Sequence, residues 1–279
     1  MTESAPSRFS LNQATIKHAT VPEAVAATLR AGIPAIGLWR EPVAEFGLEA
    51  SAAAVRDAEL RVSSLCRAGF FTMPEGPARR ASLDDNRRAI EETAALGAPT
   101  LVLVAGGLPE GSRDLVGARE RVRDAIGELA PEALAAGVSL AIEALHPMYV
   151  TDRAVVSTLG QALDIAEQFD ARAVGVVVDT FHVFWDPAVL PTIARAAGRI
   201  ASYQVCDWNM PIAADPLLSR GYPGDGLIDF EPITRAVVEA GYDGDIECEI
   251  FNQEIWDADY STVAATSAER YRGRFEPYL

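Results

Sequence analysis

The sequence is poor in cysteine, histidine and positive charge, and it contains no long apolar run. Its three cysteines, Cys66, Cys206 and Cys248, are odd in number, far apart and set among apolar residues. That excludes a disulfide framework or a paired-cysteine metal knot and predicts a reducing compartment. Against 40 acidic residues stand 24 basic ones, for a formal charge of −16. Phosphate backbones and anionic membrane surfaces need a basic face, so a nucleic-acid or membrane partner is not expected. No apolar stretch approaches the roughly 18 residues of a membrane span. The N-terminal MTESAPSRFS lacks a basic start leading into an apolar core, and the reading is of a cytoplasmic protein. A Gly-rich phosphate loop is missing after the first expected strand, where QATIKHATVPEA stands, which disfavours a doubly wound dinucleotide fold. No internal repeat, low-complexity segment or linker divides the chain.

What is present is alternation. The 279 residues, 49% of them hydrophobic, suffice for one large core. Short apolar runs alternate with longer amphipathic ones. The expected strands are QATIKH, AIGLW, RVSSLC, TLVLVA, SLAIEA, VGVVVD, ASYQVC and DIECEIF. Between them lie helical stretches such as VPEAVAATLRAG, SLDDNRRAIEETAALG and FEPITRAVVEAG, several closing on glycine, the residue that most readily takes a left-handed helix end. Eight such repeats of strand and helix predict an α/β fold, a (β/α)8 TIM barrel over residues 1–279 as a single domain. Three long loops follow strands, RAGFFTMPEGPARRAS, AGGLPEGSRD and DWNMPIAADPLLSRGYPGDG. In a barrel they lie on the catalytic face.

Four consecutive strands end on residues able to hold a metal: Glu143, Asp179, Gln204 and Glu249. Neighbouring strands lie about 4.8 Å apart, so these side chains can converge on one point. Carboxylates packed there resist ionisation unless a cation compensates them. Glu247 points to the same side as Glu249, one layer deeper, and is expected to support the ligands. His146, three residues beyond Glu143, can lean over a bound substrate and take a proton near neutral pH. Trp39 ends the second strand, and Trp185, Trp208 and Trp256 fall near others; an indole face suits a sugar ring. Asp207 can hold a substrate hydroxyl or stabilise its own turn. Cys66, beside Arg67 at the end of the third strand, reads as a small buried hydrophobe.

In order, IEALHP, VVDTFH, YQVCDW, RGYPGDGLIDF and DIECEIFN resemble the xylose-isomerase-like TIM-barrel superfamily, also called the sugar phosphate isomerase/epimerase family. The resemblance implies one divalent metal ion, commonly manganese, with Glu143, Asp179 and Glu249 as carboxylate ligands. It also implies substrate contacts from His182 and Arg220. Gln204 departs from the pattern, since most relatives carry a histidine there. An all-oxygen shell favours Mn2+ or Mg2+ over zinc. Three histidines are too few for the multi-zinc endonuclease branch. The LHP segment with glutamine at strand seven is similar to the larger, alpha subunit of bacterial C-glycoside deglycosidases. That likeness implies carbon–carbon bond cleavage of a 3-oxo-C-glycoside by β-elimination, with His146 as base, and a small β-rich second subunit. The alternative is a ketose or aldose isomerase or 3-epimerase, with Glu143 and Glu249 working on opposite faces of the sugar. A non-catalytic binding barrel is a third reading. An oligomer is expected from the superfamily.

Overall fold

In the computed structural model, which describes residues 7–279, eight parallel strands close into a barrel. They are β1 (Phe9–Asn12), β2 (Ala35–Trp39), β3 (Arg61–Gly69), β4 (Thr100–Val104), β5 (Ser139–Glu143), β6 (Val174–Asp179), β7 (Ile200–Val205) and β10 (Ile246–Cys248). β10 pairs with β7 on one side and with β1 on the other, which closes the ring. Two short segments, β8 (Asp207–Trp208) and β9 (Arg220–Gly221), form a separate antiparallel pair. The expectation about the N-terminal stretch rests partly on residues 1–6, which lie outside the described residues. Among the described residues no helix is long and apolar enough to cross a membrane.

Barrel strands are covered on both faces, so they read as near-continuous apolar runs rather than alternating ones. Their outward residues join the large core under the helices, while Cys66, Val102, Ala141 and Val177 form a separate small cluster inside the barrel. Two residues further along β5 and β6 the same inward face carries Glu143 and Asp179. The helices are capped as their sequences suggest. Asp114 accepts a hydrogen bond from the Gly117 N–H at the start of helix Leu115–Ala136, and Gly137 closes that helix at φ 71°.

The first strand differs from expectation. QATIKH is not extended; the strand is Phe9–Asn12, and Gln13–Ile16 form a 3-10 turn. The Asn12 carboxamide accepts from the Ala14 N–H at 2.8 Å, which bends the chain out of the sheet. DIECEIF also shortens, to Ile246–Cys248, yet the Glu249 N–H still donates to the Val205 carbonyl at 3.2 Å. The long loop after β7 folds back through a 3-10 turn at Pro216–Ser219 and the β8–β9 pair, which returns Arg220 to the barrel mouth.

Candidate active site

The four expected strand-end ligands lie in one buried layer. Asp179 and Gln204 are register partners across β6 and β7, and Gln204 pairs with Glu247 across β7 and β10. Oxygens of Glu143 and Asp179 and a ring nitrogen of His182 lie within 4.8 Å of one another. Arg220, buried to 2% exposure, ties in the fourth side: its Nη1 donates to Asp179 Oδ2 and to Glu249 Oε2, each at 3.1 Å. Its guanidinium also stacks over Phe181 and Phe251, at 4.6 and 5.1 Å from the ring centres.

Burial is the main force on the charges. It raises the Glu143 carboxyl well above the carboxylate range, with repulsion from Asp179 and Glu249 adding to it. It raises Asp179 too, opposed by Arg220 and by the Phe181 N–H. Glu249 is pushed up to about 8 by burial, partly offset by Arg220. Burial also holds His182 well below its usual value, with the Arg220 charge adding to the effect. The His146 backbone N–H donates to His182 Nδ1 at 3.1 Å. The other ring nitrogen, Nε2, faces Glu143 at 3.9 Å and Asp179 at 3.8 Å. Arg220 Nη2 lies 3.0 Å from the same nitrogen.

Beneath this layer Glu247 organises the barrel floor. Its carboxylate accepts from Asn12 Nδ2 at 2.6 Å, from the hydroxyls of Ser63 and Ser64, and from Gln204 Nε2 at 3.0 Å. Gly37 makes this possible: a Cβ there would fall 2.7 Å from the Glu247 carboxyl carbon. The bond to Glu247 fixes the Gln204 amide, so its nitrogen points down. Its oxygen, Oε1, is buried with no hydrogen-bond partner. An orphaned carbonyl oxygen on the register partner of Asp179, next to the Glu143–Asp179–His182 cluster, makes a donor set that a divalent cation can take. The residues present therefore fit a metal.

An inner cavity of about 270 Å³ opens above this layer. Its walls include Glu143, Glu249, His182, Arg220 and Tyr149, with the rings of Trp39 and Phe251 beside them. Tyr149 and Phe251 are not among the expected site residues. The Tyr149 hydroxyl is buried and unpartnered, and burial pushes its pKa up to about 12, so it stays a neutral phenol. Trp39 is placed as expected; its indole N–H is used on Asn12 Oδ1 at 2.8 Å, which leaves the ring as the contact surface.

Asp179 and Gln204 lie in the layer below the cavity rather than in its wall, and two further expected residues, His146 and Asp207, are not brought to the site. The His146 imidazole packs between Trp185 and Trp208, at 5.4 and 5.3 Å between ring centres, and is not part of the cavity wall. The short turn Pro147–Tyr149 that follows it turns Tyr149 inward instead. Asp207 is fully buried, and its carboxylate accepts from the backbone N–H groups of Trp208, Gly224 and Ile228 at 2.8 to 3.0 Å. It fastens the long loop and has no reach to a substrate hydroxyl.

A family model, the xylose isomerase-like TIM barrel, matches residues 25–272. The chain belongs to that family. It is 30% identical over 142 residues to an L-ribulose 3-epimerase of Mesorhizobium japonicum, covering 50% of this chain and 43% of that protein. It is 29% identical over 136 residues to an inosose isomerase of Bacillus subtilis, covering 48% and 47%. In these alignments the chain spans about half the length of the curated relatives it matches. The crystal structure of a Sinorhizobium meliloti protein superposes with a TM-score of 0.93 at 47% identity, over 96% of this chain and 98% of that one.

Proposed function

We propose that this xylose isomerase-like barrel is a divalent-metal-dependent sugar isomerase or epimerase that moves a proton on a carbon next to a carbonyl. The observation that carries this reading is the pair Glu143 and Glu249. Both are buried and both line the inner cavity. Two carboxyls facing one ligand from different strands can remove and return a proton on two faces or at two carbons. The relatives, an L-ribulose 3-epimerase and an inosose isomerase, support the same class. The elimination reading depended on a single base at His146. That imidazole packs between two indoles, outside the cavity wall.

Glu143, Asp179, Gln204 Oε1 and Glu249 would hold the cation, manganese or magnesium by their oxygen chemistry. Such an ion supplies positive charge that polarises a carbonyl and acidifies the neighbouring C–H. The protein's own groups do the rest. Arg220 balances Asp179 and Glu249 and keeps donors at the cavity wall. Tyr149 offers a neutral O–H to a sugar hydroxyl, and Trp39 and Phe251 cover the apolar face of the ring. The test is proton NMR in heavy water of manganese-loaded protein with a panel of free ketohexoses. Deuterium is expected beside the carbonyl, is lost in Glu143→Gln and Glu249→Gln, and persists in His146→Ala. Loss in His146→Ala, together with aglycone release from a 3-oxo-C-glycoside, would restore the elimination reading in its place.

A further inference from the structure

The inner cavity does not end at the sugar. Trp39, Arg67, Arg153, Leu217 and Phe251 also line a second, outer compartment of about 980 Å³ that extends toward the turn after β1. The inner space is at the small end of ligand sites, which run roughly 300–1,000 Å³, and the outer one is at the large end. One aromatic wall joins the two. Trp39 meets Phe251 edge-on at 5.7 Å, and Phe251 meets Trp256 at 5.8 Å.

A cation stands at each end of that wall. Arg67 lies over the Trp39 ring at 5.3 Å, and Lys17 over the Trp256 ring at 4.2 Å. Lys17 is the single lysine of a chain with a net charge of −16. Among the described residues neither cation has a carboxylate within 4.0 Å or makes a side-chain hydrogen bond, although carboxylates outnumber cations along the chain. An aromatic face holds a cation in place without neutralising it, so the N–H donors remain free for a ligand. Acidic residues are present in the groove as well. Asp215 faces Arg153 at 3.7 Å, and Glu41 and Glu45 line the wall on the side of the helix after β2. Lys17 and Arg67 are thus the lysine and arginine of the groove without an ion pair; Arg67 also acts at longer range on Glu143 and Glu249, and Glu41 and Glu45 likewise have no cation within 4.0 Å.

We infer that the outer compartment is a subsite for an anionic group carried by the substrate, a carboxylate or a phosphate. It rests on the proposed reading that a keto sugar occupies the inner cavity. The sugar's carbonyl end meets the carboxyl layer, and its acidic end runs past Trp39 and Phe251 toward Lys17.

The experiment is calorimetric titration of the manganese-loaded protein with fructose, fructose 6-phosphate and fructuronate at low salt. At least one anion is expected to bind ten-fold or more tighter than fructose, and the advantage shrinks in high salt as screening grows. Whichever of the phosphate and the uronate gains most identifies the anion. Lys17→Met and Arg67→Met are each expected to cut the ratio of anion to fructose affinity about five-fold or more. Arg235→Met, on the exposed face of helix Phe230–Glu239, leaves that ratio alone. Equal affinity for all three sugars overturns the subsite, as does no measurable binding of either anion. So does a ratio that Lys17→Met and Arg67→Met both leave unchanged. The two proposals fail separately. Deuterium exchange into neutral ketoses without an anion preference sinks only the subsite, whereas anion-selective binding without exchange into any ketose sinks only the isomerase reading.

Discussion

At Gln204 the amide nitrogen donates to Glu247 while the oxygen meets no donor. Both facts depend on the space that Gly37 leaves. Gly37→Ala would press a methyl group into the Glu247 carboxylate and release the amide. The expected result is a loss of manganese affinity of about 10- to 100-fold, with a stability cost of about 1–3 kcal/mol. Manganese titration followed by electron paramagnetic resonance, beside urea melts, checks both. Tyr149→Phe has the opposite signature. Removing an unpaired buried hydroxyl leaves the melting temperature level or higher, and KM rises several-fold because the substrate loses a donor. A lower melting temperature with KM unchanged would give the hydroxyl a purely structural role. Glu143, Asp179, Gln204 and Glu249 were legible in the sequence because each interrupts an apolar strand. Tyr149 was not, because its direction is set by a three-residue turn after His146 rather than by any periodic pattern. His146 drew attention through its chemistry, yet it is its backbone N–H that reaches the site.

Strand β2 was read to the residue, since AIGLW is apolar throughout and buried on both faces. β1 was displaced, because FSLN is short and the longer polar-flanked QATIKH mimics alternation while Asn12 turns the chain. The sequence reading also named no helix between β2 and β3, where the chain forms Arg40–Phe46 and Leu48–Asp57. Arg40 joins that connection to helix Pro77–Ala95. It donates to Asp85 at 2.9 Å and to Glu92 at 2.6 Å, with only 17% of its side chain exposed. Asp85 is 43% exposed, so water screens part of the gain. Arg40→Met is expected to cost about 1–2 kcal/mol in urea melts. Arg40 holds the Asp85 carboxyl below its ordinary 3.8 by a hydrogen bond. The folded value is lower than the unfolded one, so this contribution is complete above that pH and disappears as pH falls. The gap between parent and variant should stay constant from neutral pH down to about 5 and narrow below 4.

On the scale of the whole molecule the buried carboxyl layer sets a pH dependence of the opposite sign. Burial is the first cause of the rise of Glu249 from 4.5 to about 8, and Glu143 and Asp179 move the same way. A group whose folded value exceeds its unfolded one stabilises fully below the unfolded value, and that contribution is lost as pH climbs through the folded one. Chelator-treated protein should therefore melt several degrees lower at pH 8 than at pH 5. General repulsion within a chain of charge −16 pushes in the same direction. Glu249→Gln separates the two effects, because it removes the local share of the slope and leaves the global share. Manganese should raise the melting temperature most at pH 8, where the carboxyl layer is most in need of a cation. If the chelated protein instead melts higher as pH rises, the single charge of Arg220 already compensates Asp179 and Glu249, and the layer has no electrostatic need of a metal.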